Sequence, residues 1–306
     1  MKKEYLKVIS DCDGMTLSAA IFEPEDKEEI RGVVQFSHGM AEHKERYYPL
    51  MEFLAENGFA SVINDHRGHG ESVRCKEDWG YFSDYTAEFA VEDLHLITGE
   101  IKKRFPNKPI CLFGHSMGSL IVRKYIKKYD RDITKLVVCG SPSKNPMVGA
   151  ALLLVKIQKT FKGDRYRSKL IQKLAFGNYN KNIDNPVSEN GWLSANEDNV
   201  KKYDDDEACG FIFTLNGFEN LFKLLKQVYS SDGWNVHNEN LPIMFIAGAD
   251  DPVIVSEKAW KESMNFLKSV GYKNVSGKLY AGLRHEILNE TEAPNIYEDI
   301  LTFIKK

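Results

Sequence analysis

Three stretches of the chain carry residue types that together could transfer an acyl group. The first is Gly114-His115-Ser116-Met117-Gly118, preceded by the short apolar run Ile110 to Phe113 and followed by apolar residues at helical spacing from Leu120 to Tyr129. This pattern predicts strand, sharp turn and helix with a hydroxyl at the apex, because a turn that lifts one side chain above a sheet edge leaves no room for a Cβ at its neighbours. A serine hydroxyl attacks poorly until a base removes its proton, and the base needs a third group to hold its tautomer. The other two stretches supply such groups. Gly248-Ala249-Asp250-Asp251-Pro252-Val253 follows the apolar strand Ile243 to Ala247, and Ala281-Gly282-Leu283-Arg284-His285-Glu286 follows a strand at Leu279-Tyr280. Of eight histidines, His285 alone sits after the last strand, in a loop entering the terminal helix. Asp250 and Asp251 compete for the third position. Pro252 biases the residue before it toward an extended conformation, which favours Asp251.

A tetrahedral intermediate needs donors that are oriented before its charge develops. The backbone N–H of Met117, next to the serine, is one candidate. Met40 N–H is the other, in the loop Ser37-His38-Gly39-Met40 after an early strand, where Gly39 lets the backbone approach. The competing readings are an ordinary serine in a tight turn and a surface-loop histidine. His38, His43, His66 and His69 raise a zinc site as a rival, since imidazoles close in sequence can share a metal. No carboxylate or thiolate set accompanies them at ligand spacing, so no metal is expected, and His38 and the His66 to His69 turn are assigned to shaping loops near Ser116. His115 is read as a packed neighbour of the turn. No phosphate loop, kinase set or dinucleotide fingerprint is present.

The elements that must position these residues can be read in order. Two stretches from Tyr5 to Phe22 alternate around Asp11-Cys12-Asp13-Gly14, as a β-hairpin does, and charged residues from Glu23 to Arg31 read as a solvated loop. The mostly apolar strand Gly32 to Phe36 reads as buried and parallel. A helix marked by Tyr48, Met51, Leu54 and Ala55 stops at Asn57-Gly58, and strand Phe59 to Ile63 follows. A helical stripe, Val91 to Phe105, precedes the strand that feeds Ser116, and strand Leu136 to Cys139 follows the next helix. Alternation of strand and helix predicts a doubly wound, mostly parallel sheet. It breaks from Gly140 to about Asn240, where helical stretches Val148 to Ile157 and Phe218 to Tyr229 are separated by polar loops, among them Asn178 to Asn182 and Tyr203 to Glu207. The sheet resumes at Ile243, with a helix from Ser256 to Val270 and a final helix toward Ile304.

At 306 residues the chain could hold two ordinary domains or one large α/β domain with an insertion. Residues 1–140 and 241–306 read as two parts of one core, and 141–240 as an inserted helical cap. A net charge of −3 with no basic stripe argues against nucleic-acid binding. No window approaches the ~20 apolar residues of a membrane span, and the amino terminus lacks the apolar stretch of a secretory signal. Five cysteines without C-x-x-C spacing suggest a reducing, cytoplasmic setting.

The order Ser116, Asp251, His285 is that of α/β-hydrolases. Phe36 to His43 with Arg46-Tyr47, Asp65 to Ser72, Gly114 to Gly118, Gly248 to Pro252 and Arg284-His285-Glu286 together resemble the monoacylglycerol lipase and lysophospholipase-like branch of that superfamily, often grouped with serine aminopeptidases. The resemblance extends to Trp192-Leu193-Ser194 and Cys209-Gly210-Phe211. It implies a cap over the serine, an acyl-enzyme intermediate and no cofactor. Met40 departs from the mammalian lipase pattern and could narrow the entrance. The near-continuous apolar run Ala150 to Ile157, with Phe211, Phe213, Phe218, Leu221, Phe222 and Leu225, reads either as packing against the core or as an acyl tunnel and interfacial surface. The expected function is hydrolysis of a monoacyl lipid or similar ester, with transient membrane contact through the cap. The alternatives are an aminopeptidase or amidase, with Glu189, Glu197 or the run Asp204 to Glu207 as an acidic subsite, and a catalytically silent binding module.

Overall fold

The computed structural model describes residues 1–26 and 30–306. Strands β1 (Lys2–Ile9) and β2 (Thr16–Glu23) form the expected antiparallel hairpin, with Val8 opposite Leu17. Glu23 thus belongs to a strand, and residues 27–29 of the loop expected after it lie outside the described residues. Then come β3 (Gly32–Ser37), α1 (Tyr48–Glu56), β4 (Phe59–Asn64), α2 (Phe89–Arg104), β5 (Ile110–His115), α3 (Met117–Tyr129) and β6 (Lys135–Cys139). β3, β4 and β5 are buried along their whole length, which explains why each reads as a nearly unbroken apolar run rather than an alternation.

The strands form one sheet in the order β1-β2-β4-β3-β5-β6, continued by β7 (Ile243–Gly248) and β8 (Val275–Tyr280). Only the β1–β2 and β2–β4 pairings are antiparallel among the described strands. The chain winds from β3 outward to β4, then returns past β3 to β5. Connections therefore leave β3 and β5 in opposite directions, and such a switch point opens a crevice at the carboxyl ends of the strands. The loops there are 38–43 and the turn at Ser116.

Helices cover both faces. Leu50, Met51 and Leu54 of α1 pack with Ile296 and Ile300 of α9 (Ala293–Lys305) on one side. On the other, Val91 and Leu94 of α2 and Leu120 and Tyr125 of α3 pack with Trp260 and Leu267 of α8 (Glu257–Ser269).

Between β6 and β7 lie α4 (Val148–Lys162), α5 (Lys169–Phe176), α6 (Glu197–Asp205) and α7 (Leu215–Val228). α7 is tied down: Phe218 and Leu224 are buried, and the Asn216 and Asn220 amides both donate to the Asp84 carbonyl. α4 is different. Val155 is buried and Val148, Ala151, Leu152 and Leu154 are half-buried against the core cluster, while Leu153, Ile157 and Phe161 are exposed, so packing explains one side of its apolar run and not the other. The segment from Tyr203 to Asp205, expected as loop, is the last turn of α6. Its acidic run opposes the helix dipole and hides the buried stripe Asn199, Val200 and Tyr203 that seats the helix.

The turn at Ser116 depends on close backbone contact. A Cβ on Gly118 would lie 2.0 Å from the Ser37 carbonyl oxygen, and one on Gly114 would lie 2.5 Å from that of Gly118. Replacing Gly118 by Ala must push α3 away from β3. We expect a loss on the order of 3 kcal/mol in urea unfolding, as for other overpacked cores; an unchanged midpoint would show that the helix is not seated this way.

Candidate active site

Ser116 connects β5 to α3 with φ 52° and ψ −117°, a backbone conformation that a non-glycine residue adopts only when its surroundings enforce it. Its N–H donates to the Cys139 carbonyl at 3.0 Å, pinning the turn to β6, and its own carbonyl accepts the Ser119 N–H and hydroxyl. The side chain is half-buried and lines a cavity of about 1090 Å³. Met117 is the first residue of α3, so its N–H belongs to the helix's unpaired first turn and carries the positive end of its dipole.

His285 lies on the wall of the same cavity, and its Nδ1 is 2.9 Å from Oδ2 of Asp251. The other oxygen of Asp251 accepts the Val253 N–H at 2.8 Å, an arrangement set by the extended backbone of Asp251 and the short 3-10 turn that Pro252 begins. Asp251 is buried; Asp250 is exposed. The His285 ring is framed by Trp192 at 5.1 Å between centroids, and a Cβ on Gly140 would stand 3.1 Å from its Cε1. The structure thus places Ser116, Met40, Met117 and His285 around one cavity, with Asp251 behind the imidazole.

The loop after β3 is organised by Glu42, which sequence reasoning did not single out. Its carboxylate accepts the Gly39 N–H and, at 2.8 Å, the Tyr47 hydroxyl. Gly39 N–H is therefore committed, and the next one along the loop belongs to Met40, at the cavity wall. Arg46 Nε lies 3.3 Å from Glu42, and its NH2 donates to Glu286, the residue after His285. The helical i, i+4 spacing of Glu42 and Arg46 was the available signal.

His115 faces two acceptors: Nδ1 is 3.3 Å from Glu42 and Nε2 is 3.2 Å from the His285 carbonyl oxygen. A neutral imidazole has one N–H, so satisfying both requires the imidazolium. Burial opposes that charge, but the hydrogen bond and the charge of Glu42 outweigh it and raise the His115 pKa. For Glu42 burial favours protonation, yet His115 and Arg46 hold its carboxyl below the usual range.

His38, His66 and His69 are each engaged by groups other than carboxylates or thiolates. His38 donates from Nδ1 to the Gly39 carbonyl and accepts the His66 N–H at Nε2, so both nitrogens serve the backbone. His66 is 2.9 Å from the Ser37 hydroxyl and His69 is 3.0 Å from the Arg67 carbonyl. His43 instead meets Asp206 at 2.8 Å, with Cys209 nearby.

The cavity walls are largely apolar: Met40, Leu120, Val148, Leu154, Phe176, Phe211 and Leu225 contribute, while Lys169, Lys173, Glu189 and Asn190 are charged or polar. Of the acidic residues considered for an amine subsite, Glu189 lines the cavity and Glu197 and the Asp204 to Glu207 run do not.

The profile of the family described as serine aminopeptidase, S33 matches residues 28–292. A monoacylglycerol lipase of Mycolicibacterium smegmatis is 26% identical over 281 residues, covering 90% of this chain and 88% of that protein. Phospholipase YtpA of Bacillus subtilis is 23% identical over 89% of this chain and 94% of its own. Among solved structures, a thermostable carboxyl esterase from Bacillus coagulans, in complex with glycerol, superposes with a TM-score of 0.89 at 26% identity, covering 100% of this chain and 98% of the other.

Burial pushes the pKa values of His38, His66 and His69 down from 6.5 to about 3. In the folded protein these rings stay neutral down to that pH, whereas in the unfolded chain they take up protons near 6.5. Between the two values the unfolded state binds more protons, so stability is full above pH 6.5 and falls as the solution is acidified toward 3. Urea unfolding between pH 7 and 4.5 should show this slope, and His69→Gln should reduce it by one proton, about 1.4 kcal/mol per pH unit. An equal slope in the variant would mean that His69 is protonated in the fold.

Proposed function

We infer that this chain, which belongs to the serine aminopeptidase S33 family of α/β-hydrolases, is a serine ester hydrolase acting on monoacylglycerol, lysophospholipid or a similar medium-to-long acyl ester. The observation that carries this reading is the apolar cavity of about 1090 Å³ with Ser116 and His285 on one wall, at the upper end of small-molecule site volumes. Residues 141–240 act as a cap that supplies most of its apolar lining.

In this mechanism Ser116 Oγ attacks the ester carbonyl carbon while His285 Nε2 accepts its proton. Asp251 holds Nδ1–H and stabilises the imidazolium. The oxyanion is received by the N–H groups of Met117 and Met40. Collapse expels the alcohol, which takes the proton from His285 and leaves an acyl-serine. Water then enters, gives a proton to His285 and a hydroxyl to the acyl carbon, and the acid departs as Ser116 recovers its proton. An amidase reading is not favoured: Glu197 and the Asp204 to Glu207 run lie off the cavity, Glu42 and Glu286 on its wall are paired with Arg46, and Lys169 and Lys173 share the wall with Glu189.

Ser116→Ala should abolish both fluorophosphonate labelling and hydrolysis of aryl esters, and Asp251→Asn should lower kcat by roughly 10⁴-fold, as in other triads. Turnover should rise with acyl length and exceed that of aminoacyl amides. Labelling of Ser116→Ala at the wild-type level would reject this serine as the nucleophile.

The cap also favours contact with a lipid surface. Phe161 is 83% exposed, and Leu153, Ile157 and Leu170 are exposed with it, on helices that also carry the exposed Lys156, Lys162 and Lys169. An apolar face with lysines beside it suits an interface that is greasy below and anionic above. No helix among the described residues is long and apolar enough to cross a membrane, so this contact is peripheral. Phe161→Asp with Leu170→Asp should weaken co-sedimentation with anionic vesicles while turnover of a soluble short-chain ester persists. Undiminished vesicle binding would place the contact elsewhere.

A further inference from the structure

We propose that His43, Asp206 and Cys209 form a binding site for zinc that ties the cap to the loop carrying Met40. Their ligand atoms lie within 4.8 Å of one another, although His43 follows β3 in the core and Asp206 and Cys209 lie in the insertion between β6 and β7. His43 stands at the start of the short 3-10 turn Lys44–Tyr47 after β3, whereas Asp206 and Cys209 leave the end of α6.

Each ligand is already positioned. Asp206 Oδ1 accepts the Ala208 N–H at 2.8 Å, which turns Oδ2 toward His43 Nε2, 2.8 Å away. The Cys209 N–H donates to the Asp206 carbonyl at 2.9 Å, closing a tight turn that brings side chains three residues apart together. Two backbone-directed bonds then hold this turn against the β3 loop: Gly210 N–H reaches the Ala41 carbonyl at 3.0 Å, and the Tyr203 hydroxyl reaches the same oxygen at 2.9 Å. Geometry is thus fixed by the backbone before any ion arrives, which lowers the cost of ordering ligands.

The donor types select the metal. One imidazole, one carboxylate and one thiolate suit zinc, which takes nitrogen, oxygen and sulfur in tetrahedral array and completes its fourth position with water. Hard cations such as calcium and magnesium want oxygen alone. The three groups are buried or half-buried, so little competing water surrounds them. On binding, Zn²⁺ enters between His43 and Asp206, the His43 proton shifts to Nδ1 so that the neutral imidazole ligates through Nε2, and the Cys209 thiol releases its proton to solvent. The thiolate and carboxylate then balance the two charges of the ion. The charge of neighbouring Arg46 is engaged by Glu42 and Glu286.

The site would not touch the ester. It would fasten the turn before Phe211, a cavity-wall residue, to the loop that carries Met40, so a bound ion would stiffen both. This role is independent of which ester is cleaved.

The test uses the full-length protein, reduced and stripped with chelator, then titrated with Co²⁺ as an absorbing stand-in for zinc. One equivalent should bind with the near-ultraviolet charge-transfer band of a cobalt thiolate, and Zn²⁺ should displace it. Cys209→Ser, a one-atom change, should lose the band, while His43→Gln and Asp206→Asn should weaken binding at least about tenfold. Circular dichroism establishes that each variant is folded. Zinc should raise the Tm of the wild type and leave that of Cys209→Ser in place, and should slow hydrogen exchange in residues 39–43 and 206–211. Absence of the band in the wild type, a band that survives Cys209→Ser, or equal affinity in all three variants would each overturn the assignment.

Discussion

A single buried carboxylate, Glu42, constrains everything around the serine. Removing a carboxylate from water is costly unless its lone pairs are met and its charge is balanced. Here Gly39 N–H, the Tyr47 hydroxyl, His115 and Arg46 all converge on it. Arg46 continues to Glu286, so two acids and two bases form a closed and neutral group. Neutrality requires His115 to be charged, in agreement with its two acceptor contacts. Three separate chain segments meet in this group: the loop after β3, the last residue of β5 and the loop after β8. Each therefore depends on the others for its electrostatic balance. Losing one member leaves a buried charge uncompensated, which is why the position of Met40, the Ser116 turn and the His285 loop cannot vary independently.

The strain at Ser116 is a second constraint, imposed by the backbone around the turn. A positive φ at a serine persists only when neighbours over-determine it. Gly118 backed onto Ser37, Gly114 beneath the first turn of α3, and the Ser116 N–H held by Cys139 supply that determination. The crevice between β3 and β5 exists because the winding direction reverses there. The turn therefore stands where the sheet already opens, and strain places a hydroxyl into space that topology has cleared.

Much of this was legible in the sequence, and the reason is that the legible features are local. A glycine-flanked serine, an aspartate before proline and a histidine after the last strand each report a backbone requirement within a few residues. Buried parallel strands announce themselves as apolar runs, so the sheet could be read almost strand by strand. Partners far apart in the chain were not legible. Nothing near Arg46 indicates Glu286, 240 residues away, and nothing near His43 indicates Asp206, 163 residues away. Helix α6 was hidden because its acidic end works against its dipole, while the buried stripe that overrides this is only three residues long. The apolar run of α4 was visible, but periodicity could not say what its two faces meet. Val148, Ala151 and Leu154 turn toward the cavity, and Leu153, Ile157 and Phe161 turn outward.

That contrast within the insertion bears on how a substrate reaches the serine. α7 shares its apolar cluster with α3, and Thr214, Asn216 and Asn220 bond it to the segment from Gly80 to Asp84. The stretch Gly191 to Asn196 is fastened through Arg284 and Glu290 to the loop that bears His285. α4 and α5 each bury one side chain fully, Val155 and Ile171, and α4 also lays half-buried Val148, Ala151, Leu152 and Leu154 against the same apolar cluster. The cavity is thus walled partly by elements bonded to the loop that bears His285 and partly by α4 and α5, whose opposite faces are exposed. Because those outer faces carry the exposed apolar side chains Leu153, Ile157, Phe161 and Leu170, the helices that line the path to the serine are also the ones that a lipid surface would meet.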